Sequence, residues 1–191
     1  MNSLKKIKEW LNTFTSFNEQ EQVDCQYIRQ FLEEEPNLLL RDNVKMHFTA
    51  SAWVLNPSKD KVLMLYHNIY QSWSWSGGHA DGEGDLLSVA MKEVKEESGL
   101  VSLKPLSDSP ISIEILGVQP HYKKQKYVSA HLHLNYTFLL HNTKEEKLKI
   151  CPEENSKVGW LSPDEAVRSS TEAWMKPIYK KLNQKMRKYL G

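Results

Sequence analysis

The sequence predicts an α/β fold in which helices cover both faces of a mixed β-sheet, an α/β/α sandwich with an N-terminal helical extension. Two patterns lead to this prediction. Helical spacing of apolar residues occurs at both ends of the chain and in one central segment, and strand-like segments lie on either side of that central helix. The chain has 191 residues, 40% hydrophobic and 10% aromatic, which is enough to bury the core of one such domain.

The N-terminal segment is predicted to form two helices. Apolar residues recur at helical spacing over residues 3–14, and Ser16 with Glu19 forms a capping-box pattern that begins the second helix. That helix should end near Pro36, since proline cannot continue a helix. We therefore expect a helical extension over residues 1–45, which offers a candidate homodimer surface, and a main domain over residues 46–191.

The strands of the main domain are predicted from runs of β-branched and aromatic residues. They cover residues 48–55, 61–67, 71–76, 111–121, 127–140 and 158–161. A turn over residues 56–60 makes the first two a hairpin, and the third runs into Gly77 and Gly78. Lysine-rich residues 122–126 connect the two longest strands.

The remaining helices of the main domain have clear boundaries. A central helix over residues 85–98 should end at Gly99, which suits a left-handed C-cap, and Ser162 should open another helix. A terminal amphipathic helix follows from the four-residue spacing of Trp174, Ile178, Leu182 and Met186. The basic residues of this helix are expected to form its solvated face: Lys176, Lys180, Lys181, Lys185, Arg187 and Lys188.

Charge and composition exclude several classes of protein. With 25 basic and 24 acidic residues the net charge is +1, which argues against a nucleic-acid partner. The sequence contains neither an 18-residue apolar run nor a secretory signal pattern, so we expect a cytoplasmic protein without a membrane partner. Cys25 and Cys151 are too few and too far apart to indicate a disulfide framework or a zinc site.

The central helix carries the densest chemistry of the sequence. Glu93, Glu96 and Glu97 have i, i+3, i+4 spacing, which places three carboxylates on one helix face. Like charges at this spacing destabilise a helix, so the pattern favours neutralisation by a hard divalent cation. The tight turn at Gly77 and Gly78 lets a backbone carbonyl approach the same ion, because no side chain intervenes.

These residues resemble the signature of the Nudix hydrolases, G-x5-E-x7-R-E-U-x-E-E-x-G-U, where U is a bulky apolar residue. The segment from Gly78 to Leu100 keeps the required spacings, with departures at Gly84 and Lys92. The resemblance implies a Nudix-type sandwich and a Mg²⁺- or Mn²⁺-dependent hydrolase. Its substrate would be a small molecule in which a nucleoside diphosphate is linked to another group X, cleaved by water attack at phosphorus.

The resemblance also implies roles for individual residues. Glu93, Glu96, Glu97 and the Gly77 carbonyl correspond to metal ligands. Glu93 and Lys92, which stands where the family has arginine, are the catalytic candidates within the helix. Some family members take the general base from a later loop, and Glu153 and Glu154 are the candidates here.

The two departures leave a second function open. The first glutamate of the motif is Gly84 here, and Lys92 cannot reproduce the fork of the motif's arginine. Glu83 and Asp85 flank Gly84 and could substitute for the missing carboxylate. If they do not, the protein could be a Nudix-fold nucleotide-binding or regulatory protein with weakened catalysis. A helical adaptor built on residues 1–40 is a third, metal-free hypothesis.

Four further residues are candidates for substrate binding. His131 and His133 share one face of a predicted strand, and His79 directly follows the glycine pair. These histidines could line the substrate pocket, bind a softer metal together, or simply be polar residues of a sheet face. Trp75 could stack on a flat group of the substrate or belong to the core.

Overall fold

The computed structural model describes residues 4–123 and 125–191. Within these ranges the helices are α1 (Lys5–Thr13), α2 (Glu19–Glu34), α3 (Leu86–Ser98), α4 (Pro163–Ser169) and α5 (Met175–Leu190). The strands are β1 (Met46–Leu55), β2 (Val62–His67), β3 (Ser72–Ser74), β4 (Ser76–His79), β5 (Leu103–Pro105), β6 (Ser112–Val118), β7 (His121–Lys123), β8 (Lys126–Val128), β9 (His131–Asn142) and β10 (Asn155–Leu161). None of the helices in the described ranges has the length and apolar character that crossing a lipid bilayer requires.

The main sheet is mixed, as the sequence predicts. Its strand order is β10–β2–β1–β9–β5, with β3 paired to β2, β4 to β1 and β6 to β9. The central strands β1 and β9 run parallel in register from Met46↔Leu132 to Leu55↔His141. The other pairs of this sheet are antiparallel, including the predicted hairpin of β1 and β2.

Alternation along β1 assigns the two faces of the sheet. Phe48, Ala50 and Ala52 point into a core shared with α1, α2 and α3, whereas Trp53 and Leu55 point into a second core shared with α4 and α5. Helices therefore cover both faces of the sheet, and the predicted α/β/α sandwich is confirmed.

The second face becomes polar toward the start of β1. His47, Thr49 and Ser51 alternate with the apolar set, and in the β1–β9 register they lie beside His133, Asn135 and Thr137. Asn135 Oδ1 accepts hydrogen bonds from Thr49 Oγ1 at 3.0 Å and from Ser51 Oγ at 2.8 Å. This polar half of the face forms the floor of the cleft described below.

Several element boundaries differ from the sequence predictions. The N-cap of α2 is Asn18 rather than Ser16, because the Asn18 side chain accepts the Glu21 backbone N–H at 3.1 Å. The segment predicted as a connection, residues 122–126, overlaps two short antiparallel strands, β7 and β8. Residue 124 lies outside the described part of the chain. The predicted helix start at Ser162, where the structure has a capping box with Glu165, and the left-handed C-cap at Gly99 are confirmed.

The C-terminal helix departs most from its predicted pattern. Trp174, expected on the apolar stripe, is 55% exposed at the helix N-cap. Lys181, expected on the solvated face, has a side chain only 4% exposed, with Nζ 2.9 Å from Glu114 and 3.1 Å from Glu21. Lys185 also pairs with Glu21, at 2.5 Å. The prediction of a uniformly solvated basic face is therefore wrong.

The ion pairs of Lys181 connect the two ends of the chain through the sheet. Glu21 lies on α2, Lys181 on α5 and Glu114 on β6, where the Glu114 carboxylate also accepts from Asn135 Nδ2 at 3.3 Å. Burial raises the pKa of Glu21, but the charges and hydrogen bonds of Lys181 and Lys185 outweigh it and hold that pKa below its ordinary value. The terminal helices are thus fixed to the strand that borders the cleft.

Removing this buried cation should cost far more stability than removing an exposed one. Lys181→Ala leaves Glu114 without its cation and should lower the free energy of unfolding by about 3–5 kcal/mol. Lys180→Ala, one residue away and exposed, should change it by less than about 0.5 kcal/mol. Urea unfolding of both variants measures the difference, and equal losses would contradict the buried network.

Candidate active site

A cleft of about 830 Å³ opens over the polar half of the sheet. It brings together nearly all the residues that the sequence singles out: Trp75, Gly77, His79, Lys92, Glu93, Glu96, Glu97, His131, His133 and Glu154. Among the described residues that line the cleft, Glu154 is present but Glu153 is not, and Glu153 is exposed. Of the two loop candidates for a general base, the structure places only Glu154 in the described lining of the cleft.

Gly77 and Gly78 lie within strand β4, paired with Ser51 and Ala50 of β1, and do not form the predicted tight turn. A Cβ at Gly77 would lie 2.5 Å from Ser51 Oγ and 2.7 Å from Ala50 O, and one at Gly78 would lie 2.6 Å from both carboxylate oxygens of Glu93. Gly77 requires glycine, because a Cβ there would meet the backbone oxygen of Ala50. At Gly78 a side chain would displace the Glu93 carboxylate, which packs directly against the backbone of β4.

Glu97 is the most perturbed carboxylate of the cleft. It is 5% exposed, and its Oε2 accepts hydrogen bonds from Ser76 Oγ and, at 3.3 Å, from Gly77 N. Burial together with the negative charges of Glu93 and Glu154 raises the pKa of Glu97 to about 8, against the hydrogen bond from Ser76. The Glu154 side chain faces the same carboxyl group and adds to this shift.

The other two glutamates of α3 differ in exposure. Burial, Glu96 and Glu154 raise the pKa of Glu93, although Lys92 opposes the shift. The Glu96 side chain is 57% exposed and lies 3.8 Å from Lys92 Nζ, at the rim. Of the five carboxylates in the described lining of the cleft, Asp81 is paired with Arg41, and the other four face one another with too little positive charge. An oxygen-rich, under-neutralised donor set of this kind fits a hard divalent cation.

The carboxylate missing at Gly84 is not replaced by its neighbours. Asp85 caps α3 through the Ser88 backbone N–H at 3.4 Å and pairs with Lys6 at 2.8 Å. Glu83 accepts the Asp85 backbone N–H at 2.7 Å. Neither side chain is among the described residues that line the cleft. The expectation that one of them could substitute is not supported.

Sequence reasoning missed an ion pair in the wall of the cleft. Arg41 binds the Asp81 carboxylate through both its Nε, at 2.6 Å, and its terminal nitrogen, and this hydrogen bonding lowers the pKa of Asp81. The charge of Arg41 also interacts with Glu93 and Glu154. The partners are forty positions apart in sequence, so no local pattern could have paired them.

The histidines form a cluster at one end of the cleft floor. His79, His131 and His133 are joined by His47, which the sequence analysis did not identify. Burial and the neighbouring imidazoles lower the pKa of His133 to about 2, and burial lowers that of His47. Trp75 lies at the border of the cleft and is 9% exposed against Tyr179 of the second core.

Comparison with solved structures finds the same fold in several hydrolases. The C. elegans Ap4A hydrolase, in a binary complex, superposes with a TM-score of 0.54 at 18% identity, over 72% of this chain and 95% of that one. The E. coli dihydroneopterin triphosphate pyrophosphohydrolase gives 0.52 at 16% identity, over 70% and 92%. A Nudix hydrolase from M. smegmatis gives 0.52 at 13% identity, over 72% and 84%. No curated protein sequence gives a significant match.

The sandwich has the fold that these neighbours share. The family model of the NUDIX domain matches residues 45–182. The chain therefore belongs to the Nudix family, whose enzymes are pyrophosphohydrolases that act on diphosphate linkages. The predicted family and enzyme class are confirmed.

The raised pKa of Glu97 should make the metal-free protein less stable at alkaline pH. Between its ordinary pKa near 4.5 and about 8, the folded protein holds a proton that the unfolded chain has lost, so stability falls as pH rises through this window. Glu97→Gln removes that proton and should flatten the fall. With a chelator present, the variant should melt several degrees above wild type near pH ~9, since 1 kcal/mol is worth ~2–4 °C at this size.

Thermal melts at about pH 5 and about pH 9 in chelator test this linkage. Ser76→Ala is the useful comparison, because it removes the hydrogen bond that Glu97 accepts but keeps the carboxyl group. Melting temperatures of wild type and Glu97→Gln that change in parallel with pH would show that the Glu97 carboxyl does not hold the proton.

Proposed function

We propose that the protein is a divalent-metal-dependent Nudix pyrophosphohydrolase that cleaves the diphosphate linkage of a nucleoside diphosphate joined to another group X. Water attacks phosphorus, and a nucleotide product leaves. The observation that carries this proposal is the meeting of Glu93, Glu97 and Glu154 in one cleft, with Glu96 and Lys92 at its rim. Membership of the Nudix family supports the reaction class, and the carboxylates of the cleft would form the site of the reaction.

The carboxylates of α3 and the Gly77 carbonyl of β4 form a set of oxygen donors that fits Mg²⁺ or Mn²⁺. Glu93, Glu96, Glu97 and the Gly77 carbonyl would hold the ion, and the raised pKa of the two buried glutamates supports neutralisation by a cation. When bound, such an ion neutralises the charge of the diphosphate and makes its phosphorus a better electrophile.

The side chains around this site divide the remaining tasks. Glu154, on the loop before β10, faces Glu97 and would accept the proton of the attacking water. Lys92 provides an exposed point charge at the rim, whereas the Arg41 fork is held by Asp81. Lys92 would therefore contact the phosphate oxygens of the substrate.

The rest of the cleft offers a surface for the two groups that the diphosphate joins. Trp75, Tyr70 and Tyr127 provide flat apolar area, and His79, His131 and His133 provide polar edges. Two of the structural neighbours are named for phosphate-chain substrates, Ap4A and dihydroneopterin triphosphate. These names support a small-molecule substrate with a chain of phosphates and guide the choice of compounds for assay.

A second candidate function is a Nudix-fold nucleotide-binding or regulatory protein with weakened catalysis. The observation that favours it is the absence of a carboxylate at Gly84, which neither Glu83 nor Asp85 replaces.

Four expectations from the sequence stay predictions. They are the cytoplasmic location, the lack of a nucleic-acid partner, the homodimer, and the boundary between extension and main domain at residues 45 and 46.

Product release from a panel of diphosphate-linked compounds separates the two functions. The panel contains nucleotide sugars, dinucleoside polyphosphates and nucleoside or pterin triphosphates, each with Mg²⁺ and then Mn²⁺. Under the enzymatic proposal wild type cleaves at least one compound and Glu97→Gln loses the activity. Binding of the same compounds without turnover in wild type, together with turnover in Gly84→Glu, would establish the weakened-catalysis alternative instead.

Adjacent glutamates provide a matched test of the general base. Glu154→Gln should reduce kcat by about 10²–10⁴-fold, the usual contribution of a positioned base. Glu153→Gln changes the neighbouring residue, which lies outside the cleft, and should leave kcat near the wild-type value. Equal effects of the two substitutions would assign the base elsewhere, with Glu93 the next candidate.

A further inference from the structure

Four imidazoles converge at the end of the polar floor. Strand register produces the convergence: His47 pairs with His133 across β1 and β9, His131 lies two residues earlier, and His79 pairs with Thr49 across β4 and β1. The His47 ring centroid is 5.0 Å from those of His79, His131 and His133. His133 is likewise 5.0 Å from His79 and His131.

His47 has a buried ring nitrogen without a hydrogen bond. The residue is 4% exposed, and its Nδ1 donates to the Asn43 carbonyl at 3.1 Å, since a carbonyl can only accept. In the neutral ring, which burial favours, Nε2 therefore carries a lone pair. This atom has no hydrogen-bond partner among the described residues. An unsatisfied buried acceptor costs stability unless something occupies the space it faces.

The hydrogen bonds of His131 and His133, both on β9, leave a second ring nitrogen with a lone pair. His131 Nδ1 donates to the Ser129 carbonyl at 2.8 Å, so in the neutral ring Nε2 is an acceptor. That nitrogen lies 3.1 Å from His133 Nε2, which must then carry the proton. His133 Nδ1 is consequently left as a lone pair. Histidines that bind metals typically have this arrangement. One ring nitrogen donates a hydrogen bond to a carbonyl, and the other keeps its lone pair for the metal.

We propose that His47, His79 and His133 form a site for a transition-metal ion of the Zn²⁺ type, with His131 positioning His133. One ring nitrogen from each of the three lies within 4.8 Å of the others. Zn–N bonds of about 2.0–2.1 Å place tetrahedral ligands roughly 3.3 Å apart. Small side-chain rotations close the remaining gap and satisfy the orphaned nitrogen of His47.

The chemistry of this site differs from that of the carboxylate site. Imidazole nitrogens favour Zn²⁺ and its neighbours in the transition series, whereas Mg²⁺ prefers oxygen ligands. Three protein ligands leave one coordination position open, and all three histidines line the cleft. The ion is thus accessible to an anionic or carbonyl group of whatever molecule the cleft holds.

Metal titration of the full chain tests the proposal without any assay of hydrolysis. Protein stripped with a chelator is titrated with Co²⁺ in excess Mg²⁺, and Zn²⁺ is then added. We expect one equivalent of Co²⁺ to give the visible absorption bands of a four-coordinate centre, which Zn²⁺ abolishes and Mg²⁺ does not. Absence of these bands, or their loss in excess Mg²⁺, would overturn the proposal.

Variants locate the ion. His47→Ala and His133→Ala should each weaken Zn²⁺ binding by at least ~10–100-fold, since loss of even an outer partner of a ligand costs that much. His141 lies on β9 like His133, but its ring hydrogen-bonds the Pro57 carbonyl. His141→Ala should therefore bind Zn²⁺ as wild type does. Glu97→Gln should retain Zn²⁺ binding, because Glu97 belongs to the carboxylate site and not to the histidine site. Unchanged affinity in both His variants, or loss in Glu97→Gln, would place the ion elsewhere.

A measurement on the wild-type chain covers the case in which His47→Ala does not fold. Long-range ¹H–¹⁵N spectra of the histidine rings report which nitrogens carry protons or metal. Zn²⁺ should shift one ring nitrogen each of His47, His79 and His133, and leave His141 unchanged. Zn²⁺-induced shifts confined to other histidines would refute the site.

Discussion

The parallel pairing of β1 with β9 is the constraint on which the rest of the molecule depends. Ten residues of β1 are in register with β9, and side chains alternate between faces. The pairing therefore decides at once which residues enter the two cores and which remain for the cleft floor. A slip by one residue would exchange Phe48 and Ala50 for His47 and Thr49 in the first core. Burial of large apolar side chains on both faces makes such a slip unfavourable.

Local patterns were sufficient for most of the fold and for much of the site. The period of α3, its C-cap at Gly99 and the helix start at Ser162 depend on a few neighbouring residues, so the sequence alone indicates them. Contacts over long separations escaped it. The burial of Lys181 depends on Glu21 and Glu114, and the choice between Glu153 and Glu154 depends on how one loop meets Glu97. No helical or strand periodicity carries that information.

The electrostatics of the cleft follow from the same architecture. Carboxylates from α3 and from the loop before β10 are held together by packing that does not compensate their charges, and Arg41 is partly neutralised by Asp81. The polar floor supplies acceptors and neutral imidazoles instead of cations. Stability and ligand binding are thus opposed in this region, which is expected where a site is prepared for charged groups that the protein itself does not contain.

The network of Lys181 makes the N-terminal extension and α5 depend on each other. Without Glu21, Lys181 would keep Glu114 as a carboxylate partner, but Lys185 would lose the carboxylate with which it pairs. Conversely, Glu21 is buried and needs the two lysines of α5 to compensate its charge. Transplanting the extension onto another domain would require matching lysines there, so modular exchange of these helices is physically restricted.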